Sequence, residues 1–133
     1  MVSRETTKKI TAALKDVVSK QGTAQQAAVP GFRVAGKTGT AQKIDPKGGY
    51  MQGKYVVSFV GFMPADDPRF TLLVLLDDPV TKAGEAYGGL VAGPIFSRMA
   101  EKVARYLDLT PTEEVAPLAA NQKKVVFREA SRD

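Results

Sequence analysis

The 133-residue chain contains no cysteine and no histidine. Those two absences remove the usual thiolate and imidazole metal ligands, so no metal site is expected. They also remove cysteine nucleophiles and any Ser–His–Asp triad built within the chain. A lack of cysteine is compatible with an oxidising compartment. No run of about 18 apolar residues occurs, so nothing reads as a membrane span. The start lacks the charged, apolar and small-residue order of a signal peptide. Met1 is followed at once by a helical pattern, so the chain reads as beginning inside a domain.

What is present is ordinary for one globular domain: 44% hydrophobic and 25% charged residues over a length sufficient for a real core. The net charge of +5 raises the question of nucleic acid. The bases are scattered among acids, however. The cluster nearest the centre is Arg33 and Lys37, with Lys43 and Lys47 beyond. Such a pattern reads as a solvated face, and no nucleic-acid partner is expected.

Apolar periodicity predicts an amphipathic helix over residues 2–20, with Thr6, Ile10, Ala13, Leu14, Val17 and Val18 on one face. Ser3 is its candidate cap, and Gly22 lies just past its end. A small, polar stretch follows and closes with the turn signal Pro30-Gly31. Residues 32–42 read as a strand rich in Phe, Val and Thr, weakened by two glycines. Residues 43–53, with Asp45-Pro46, Gly48-Gly49 and Gly53, read as a polar loop. Two strands apolar on both faces follow, over 54–63 and 69–77, joined by a tight Pro64–Pro68 turn. They are expected to be antiparallel neighbours at the centre of a sheet covered on each face. After a loop over 78–88, a helix is expected from Gly89 to Leu107. Ile95, Met99, Val103 and Leu107 form its buried stripe, with Phe96 and Tyr106 beside it. Pro94 fits best in its first turn and would otherwise kink it. The reading is therefore an α+β fold: a three-stranded antiparallel sheet flanked by N- and C-terminal helices. A domain segment is expected over 1–107 and a flexible tail over 108–133.

The most informative segment is GFRVAGKTGTAQ, residues 31–42. Gly31-x-x-x-x-Gly36-Lys37-Thr38 has the spacing of a nucleotide-binding P-loop. LLVLLDD, residues 72–78, even offers the apolar strand ending in a magnesium-binding Asp. A P-loop, however, needs a buried strand before its first Gly and a helix after its Lys. QQAAVP precedes Gly31, and Asp45-Pro46 and Gly48-Gly49 soon follow Lys37, so the context opposes it. The same residues contain Lys37-Thr38-Gly39-Thr40, the Lys-Thr-Gly motif of penicillin-binding proteins and serine β-lactamases. On a strand, Thr38 and Thr40 share a face about 7 Å apart and can hold a carboxylate together with a nearby ammonium. Gly39 leaves the backbone open to a ligand. Taken alone, four residues are equally a plain polar strand with a solvated Lys.

Longer stretches carry a resemblance. GTAQQAAVPGFRVAGKTGTAQK resembles the approach to the third strand of class B penicillin-binding proteins, with the cell-division transpeptidases most similar. SFVGFMPADDPRFTLLVLLDDP, Ser58 to Pro79, resembles their next two strands, and YGGLVAGPIF, Tyr87 to Phe96, the start of their last helix. The order and spacing match over about residues 5–108. The resemblance implies the C-terminal part of a serine β-lactamase-like transpeptidase fold.

It also implies a reaction, in which a serine attacks the D-Ala–D-Ala bond of a peptidoglycan stem peptide and passes the acyl group to a second stem. β-Lactams acylate the same serine, and no cofactor is implied. The family needs Ser-x-x-Lys and Ser-x-Asn as well. Of Ser3, Ser19, Ser58, Ser97 and Ser131, none has Lys three positions on or Asn two positions on. The chain thus reads as a segment of a larger enzyme, inactive alone, whose other motifs, membrane anchor and N-terminal module lie upstream. The implied location is the periplasmic face of a bacterial inner membrane. The implied partners are stem peptides, β-lactams, the missing part of the domain and other cell-division proteins. By the same resemblance, Lys37 and Thr40 are the catalytic candidates. Lys37, Thr38, Gly39 and Thr40 bind substrate, and the Thr40 N–H forms half of an oxyanion hole. Gln42 and Tyr55 are weaker candidates at the rim, more simply read as ordinary sheet positions. A P-loop nucleotide binder and a non-catalytic interaction module are the alternatives.

Overall fold

Ser3 starts the first helix as its composition predicts. Its Oγ accepts the Thr6 N–H at 3.1 Å, and α1 runs Arg4–Asp16. The computed structural model describes residues 2–81 and 87–113. After α1 come a 3-10 turn (Gln25–Ala27), three strands, β1 (Ala35–Ile44), β2 (Tyr50–Met63) and β3 (Phe70–Asp77), and a second helix, α2 (Gly88–Tyr106).

Helix α1 is shorter than its periodicity predicts. Val17 and Val18 leave it and pack against the core, while Thr6, Ile10 and Ala13 of the expected stripe stay exposed. The reversal is closed by the Ala24 N–H on the Val17 carbonyl at 2.9 Å. Gly22 sits where an added Cβ would run into the Asp16 and Val17 carbonyls, so this tight approach admits only glycine.

β1 and β2 form one hairpin, and the loop expected over 43–53 shrinks to 45–49. Asp45 drives the contraction. Its carboxylate accepts the Lys47 N–H at 2.8 Å, and its carbonyl accepts the Gly48 N–H at 2.9 Å. Gly48 and Gly49 supply the left-handed backbone at φ 102° and 80°. With the turn confined to five residues, the flanking positions zip into the ladder, and a register irregularity between Gln42 and Ile44 absorbs the mismatch.

The sheet order is β1-β2-β3, all antiparallel. Its inner face carries Val57, Phe59 and Met63 of β2 and Val74 of β3, all buried under α2. Gly36 and Gly61 are register partners on that face. A Cβ on Gly36 would stand 2.5 Å from the Phe59 ring, and one on Gly61 would stand 2.8 Å from the Phe96 ring. The paired glycines therefore leave a depression that the two rings fill edge to face, with centroids 4.7 Å apart and an interplanar angle of 70°.

Helix α2 buries a different stripe from the one its large residues predict. Ala92, Gly93, Phe96, Ala100 and Ala104 face the core, whereas Met99, Tyr106 and Leu107 are exposed. Ile95 packs at the margin. Small residues let the helix lie close to the sheet and to the 3-10 turn: a Cβ on Gly93 would come within 3.3 Å of the Ala27 nitrogen. Pro94 lies in the second turn, not the first, and so leaves the Leu90 carbonyl without its i+4 donor.

The expectation that both sheet faces are covered needs correction. On the outer face Val60, Leu73 and Leu75 are 40%, 58% and 57% exposed, and among the described residues β3 is an edge strand. An open apolar face beside unpaired edges favours association. We expect the isolated chain to self-associate at micromolar concentration, and Leu73→Glu with Leu75→Lys to shift it toward monomer in light scattering. A wild-type chain that stays monomeric and melts cooperatively above about 60 °C would show a self-sufficient domain instead.

Three residues of the segment expected as a tail are held to the body. Leu109 packs on the core, Thr112 and Glu113 donate to the Gly31 carbonyl at 2.9 and 3.1 Å, and Glu113 pairs with Arg33. Residues 114–133 lie outside the described residues. Arg33 also approaches Asp66 at 3.7 Å, and Asp66 pairs with Lys15. The Lys15 hydrogen bond, with Arg33 nearby, holds the Asp66 carboxyl below the usual carboxylate range. These groups are exposed, so the pairs add little stability.

Candidate active site

Strand alternation decides where each residue of the Lys-Thr-Gly-Thr run points. Thr38 lies opposite Phe59, and Thr40 opposite Val57, so both belong to the inner face. There they line a cavity of about 360 Å³ with Thr23, Tyr87, Gly88, Gly89 and Leu90. The start of α2 forms its far wall. The Gly88 N–H donates to Thr40 Oγ1 at 3.3 Å. Two glycines make this approach feasible. A Cβ on Gly88 would collide with the Ser58 carbonyl and stand 2.7 Å from that of Gly39; one on Gly89 would collide with the Thr23 carbonyl.

Lys37 lies on the opposite face, in one row with Val60 and Leu73. Its exposed side chain bends toward the strand, and Nζ donates to the Thr38 carbonyl at 3.1 Å. The structure thus brings Thr38 and Thr40 together on one side of β1 and places Lys37 on the other. What the three share is the backbone of an edge strand whose outer side no described strand pairs. Gly39 fills the position between them. Its register partner is Ser58, and a Cβ there would stand 2.5 Å from Ser58 Oγ.

Gln42 and Tyr55 are register partners in the sheet. Gln42 Nε2 donates to the Met51 carbonyl at 2.9 Å, and the Tyr55 carbonyl accepts the Asp78 N–H at 2.8 Å. The P-loop reading fails on secondary structure, because Lys37 lies inside a strand that continues to Ile44 and no helix opens there. Among the described residues no group of three or more acidic side chains gathers to hold a metal ion.

The penicillin-binding protein transpeptidase domain matches residues 1–101. The chain belongs to this family. Stage V sporulation protein D of Bacillus subtilis is 48% identical over 95 residues, which is 71% of this chain and 14% of that protein. The peptidoglycan D,D-transpeptidase FtsI of Escherichia coli K12 is 40% identical over 98 residues, 74% of this chain and 16% of that protein. The transpeptidase domain of Burkholderia pseudomallei penicillin-binding protein 3 matches with a TM-score of 0.74 and 42% identity, over 84% of this chain and 33% of that one. Penicillin-binding protein 3 of Mycobacterium tuberculosis, solved with ampicillin, matches at 0.72 and 34%, over 90% and 27%. The chain therefore spans a third or less of each of these relatives. Its three-stranded antiparallel sheet with two helices is a portion of the penicillin-binding protein fold.

Sequence reasoning missed the wall opposite the threonines. By sequence Tyr87, Gly88, Gly89 and Leu90 lie in or beside a helix start, and Thr23 lies in a small, polar stretch, without a role of their own. The available signal was Gly88-Gly89, two poor helix formers at a helix start that lacks a side-chain cap. Such a pair marks a close backbone approach. For Thr23 there was no local signal, since chain reversal alone brings it there.

Proposed function

We propose that this chain is part of a penicillin-sensitive peptidoglycan D,D-transpeptidase, which cross-links stem peptides by acyl transfer through a serine supplied from outside it. The observation that carries the reading is the pair Thr38 and Thr40, side by side in one cavity at an open strand edge, with the Lys37 ammonium on the same strand. Two hydroxyls and a cation suit the carboxylate that ends a D-Ala–D-Ala stem and that β-lactams also carry. Thr38 and Thr40 bind that carboxylate. Gly39 lets the substrate backbone approach, and the Thr40 N–H faces the carbonyl oxygen as negative charge develops there.

Lys37 has a second task in this reading. It lies in the row of the uncovered apolar face, Lys37–Val60–Leu73. The rest of the domain covers that face and brings its serines to the ammonium. Lys37 then raises the local positive potential and orients the Ser-x-Asn serine. The complete protein acts at the periplasmic face of the membrane beside other cell-division proteins, held by an anchor outside this chain. Among the described residues no helix is long and apolar enough to cross a membrane.

The test is covalent labelling by a fluorescent penicillin, followed by mass spectrometry. The complete protein should carry one acyl group on a serine outside residues 1–133. The isolated chain should carry none. A stable adduct on Ser3, Ser19, Ser58, Ser97 or Ser131 would overturn the assignment.

A further inference from the structure

We propose that Gly88, at the start of α2, is a positioning residue: its N–H fixes the Thr40 hydroxyl so that the hydroxyl proton points at the substrate carboxylate. The inference rests on the reading of Thr40 as a carboxylate ligand and goes beyond it. A threonine hydroxyl has one proton and two acceptor lone pairs, and its rotation is free unless a neighbour fixes it. Here the Gly88 N–H donates to Thr40 Oγ1 at 3.3 Å, at the long end of the hydrogen-bond range. One lone pair is thereby engaged from the α2 side. The hydroxyl proton turns away from that donor, into the cavity that Thr38 also lines. An accepted bond also polarises the hydroxyl and makes it a better donor.

The geometry around Gly88 explains why the helix can reach Thr40. On the inner face, the strand between Thr38 and Thr40 presents only the backbone of Gly39. Gly88 rests in that gap, where a Cβ would collide with the Ser58 carbonyl and stand 2.7 Å from the Gly39 carbonyl. Its N–H is not needed within the helix, since the first intrahelical donors are Leu90 and Val91, both to the Tyr87 carbonyl at 3.0 Å. A 19-residue helix also presents the positive end of its dipole toward the bound anion.

The experiment measures acylation of the complete protein by a penicillin with a free carboxylate and by its methyl ester. The ratio of the two second-order rates reads the carboxylate preference. Gly88→Ala should lower the acid rate about tenfold more than the ester rate, the size expected when a hydrogen bond to a charged group is lost. Thr40→Val should lower the ratio similarly, and the double variant no further. Hydrogen exchange gives a second readout that does not depend on Gly88→Ala folding: the Gly88 amide should exchange faster in Thr40→Val than in wild type. If Gly88→Ala slows both substrates equally while Thr40→Val lowers the ratio, Gly88 merely supports the fold and this proposal fails, with the Thr40 assignment intact. An unchanged Gly88 exchange rate in Thr40→Val also defeats it. If Thr40→Val leaves the ratio unchanged, the carboxylate role of Thr40 falls and this inference falls with it.

Discussion

Lys37→Ala in the complete protein should slow acylation by penicillin about 10²- to 10³-fold, the usual cost of removing one preorganised electrostatic group from a site. The magnitude follows from charge. Unit charges about 4 Å apart interact by about 4 kcal/mol at the effective dielectric of a protein surface. Part of that is offset by desolvation when the site closes over substrate. In the proposed reading Lys37 acts on the neighbouring serine as well as on the carboxylate, so its loss should reduce the acylation step more than ground-state binding. Pre-steady-state kinetics separate the two as an acylation rate and a noncovalent dissociation constant. Thr38→Val keeps the side-chain shape and removes one hydroxyl, so it should cost less, about 1 kcal/mol. Thr40→Ser retains both hydroxyl and backbone N–H and should be tolerated. Wild-type acylation by Lys37→Ala would leave β1 as a plain edge strand and remove the Lys-Thr-Gly assignment.

The side of the strand on which Lys37 lies gives this prediction its structural content. Alternation puts it with Val60 and Leu73, away from Thr38 and Thr40. A single pocket-facing triad is therefore not what the strand builds. The strand separates them instead: hydroxyls toward α2, ammonium toward the exposed outer face. The hydrogen bond from Lys37 Nζ to the Thr38 carbonyl keeps the charge near the edge in the absence of that cover.

The order of elements was legible in the sequence because its signals are local. Ser3 caps α1, Pro64–Pro68 turns β2 into β3, and Thr38 and Thr40 share a face by period two. What the sequence concealed depends on contacts between distant segments. The α2 stripe differs from the one side-chain size predicts because burial follows proximity. Ala100 and Ala104 are buried because the helix lies close to its neighbours, while Met99 is exposed. Lys43, Ile44 and Tyr50–Gly53 look like loop by composition, and only the Asp45 turn network brings them into register. The second wall of the cavity, Thr23 with Tyr87–Leu90, joins residues more than sixty positions apart. Hydrophobicity suggests cover for β2 and β3 on both faces; it does not show that the described residues leave one face open.

Phe96→Ala should destabilise the complete domain by about 3–5 kcal/mol, a large share of the usual 5–15 kcal/mol total. Phe96 is fully buried, and its ring stands edge to face with Phe59 at 4.7 Å. Both rings occupy the depression left by Gly36 and Gly61, and neither glycine has a side chain that could fill the space. That places the substitution toward the costly end of the range, where the cavity persists. The aromatic pair adds about 0.5–1.5 kcal/mol beyond burial, and it is lost as well. Phe96→Leu fills more of the void and should cost less. The consequence reaches the site, because Gly36 directly precedes Lys37 and α2 carries Gly88 at its start. Slackening the contact between α2 and the sheet should therefore slow acylation in Phe96→Ala even at temperatures where the domain remains folded. Urea unfolding gives the stability change from the midpoint at constant slope, and penicillin acylation below the transition gives the functional one. A loss of stability under about 1 kcal/mol would show that the rings do not support the sheet as described. Full destabilisation with wild-type acylation would show that the α2 contact and the Lys-Thr-Gly strand are independent.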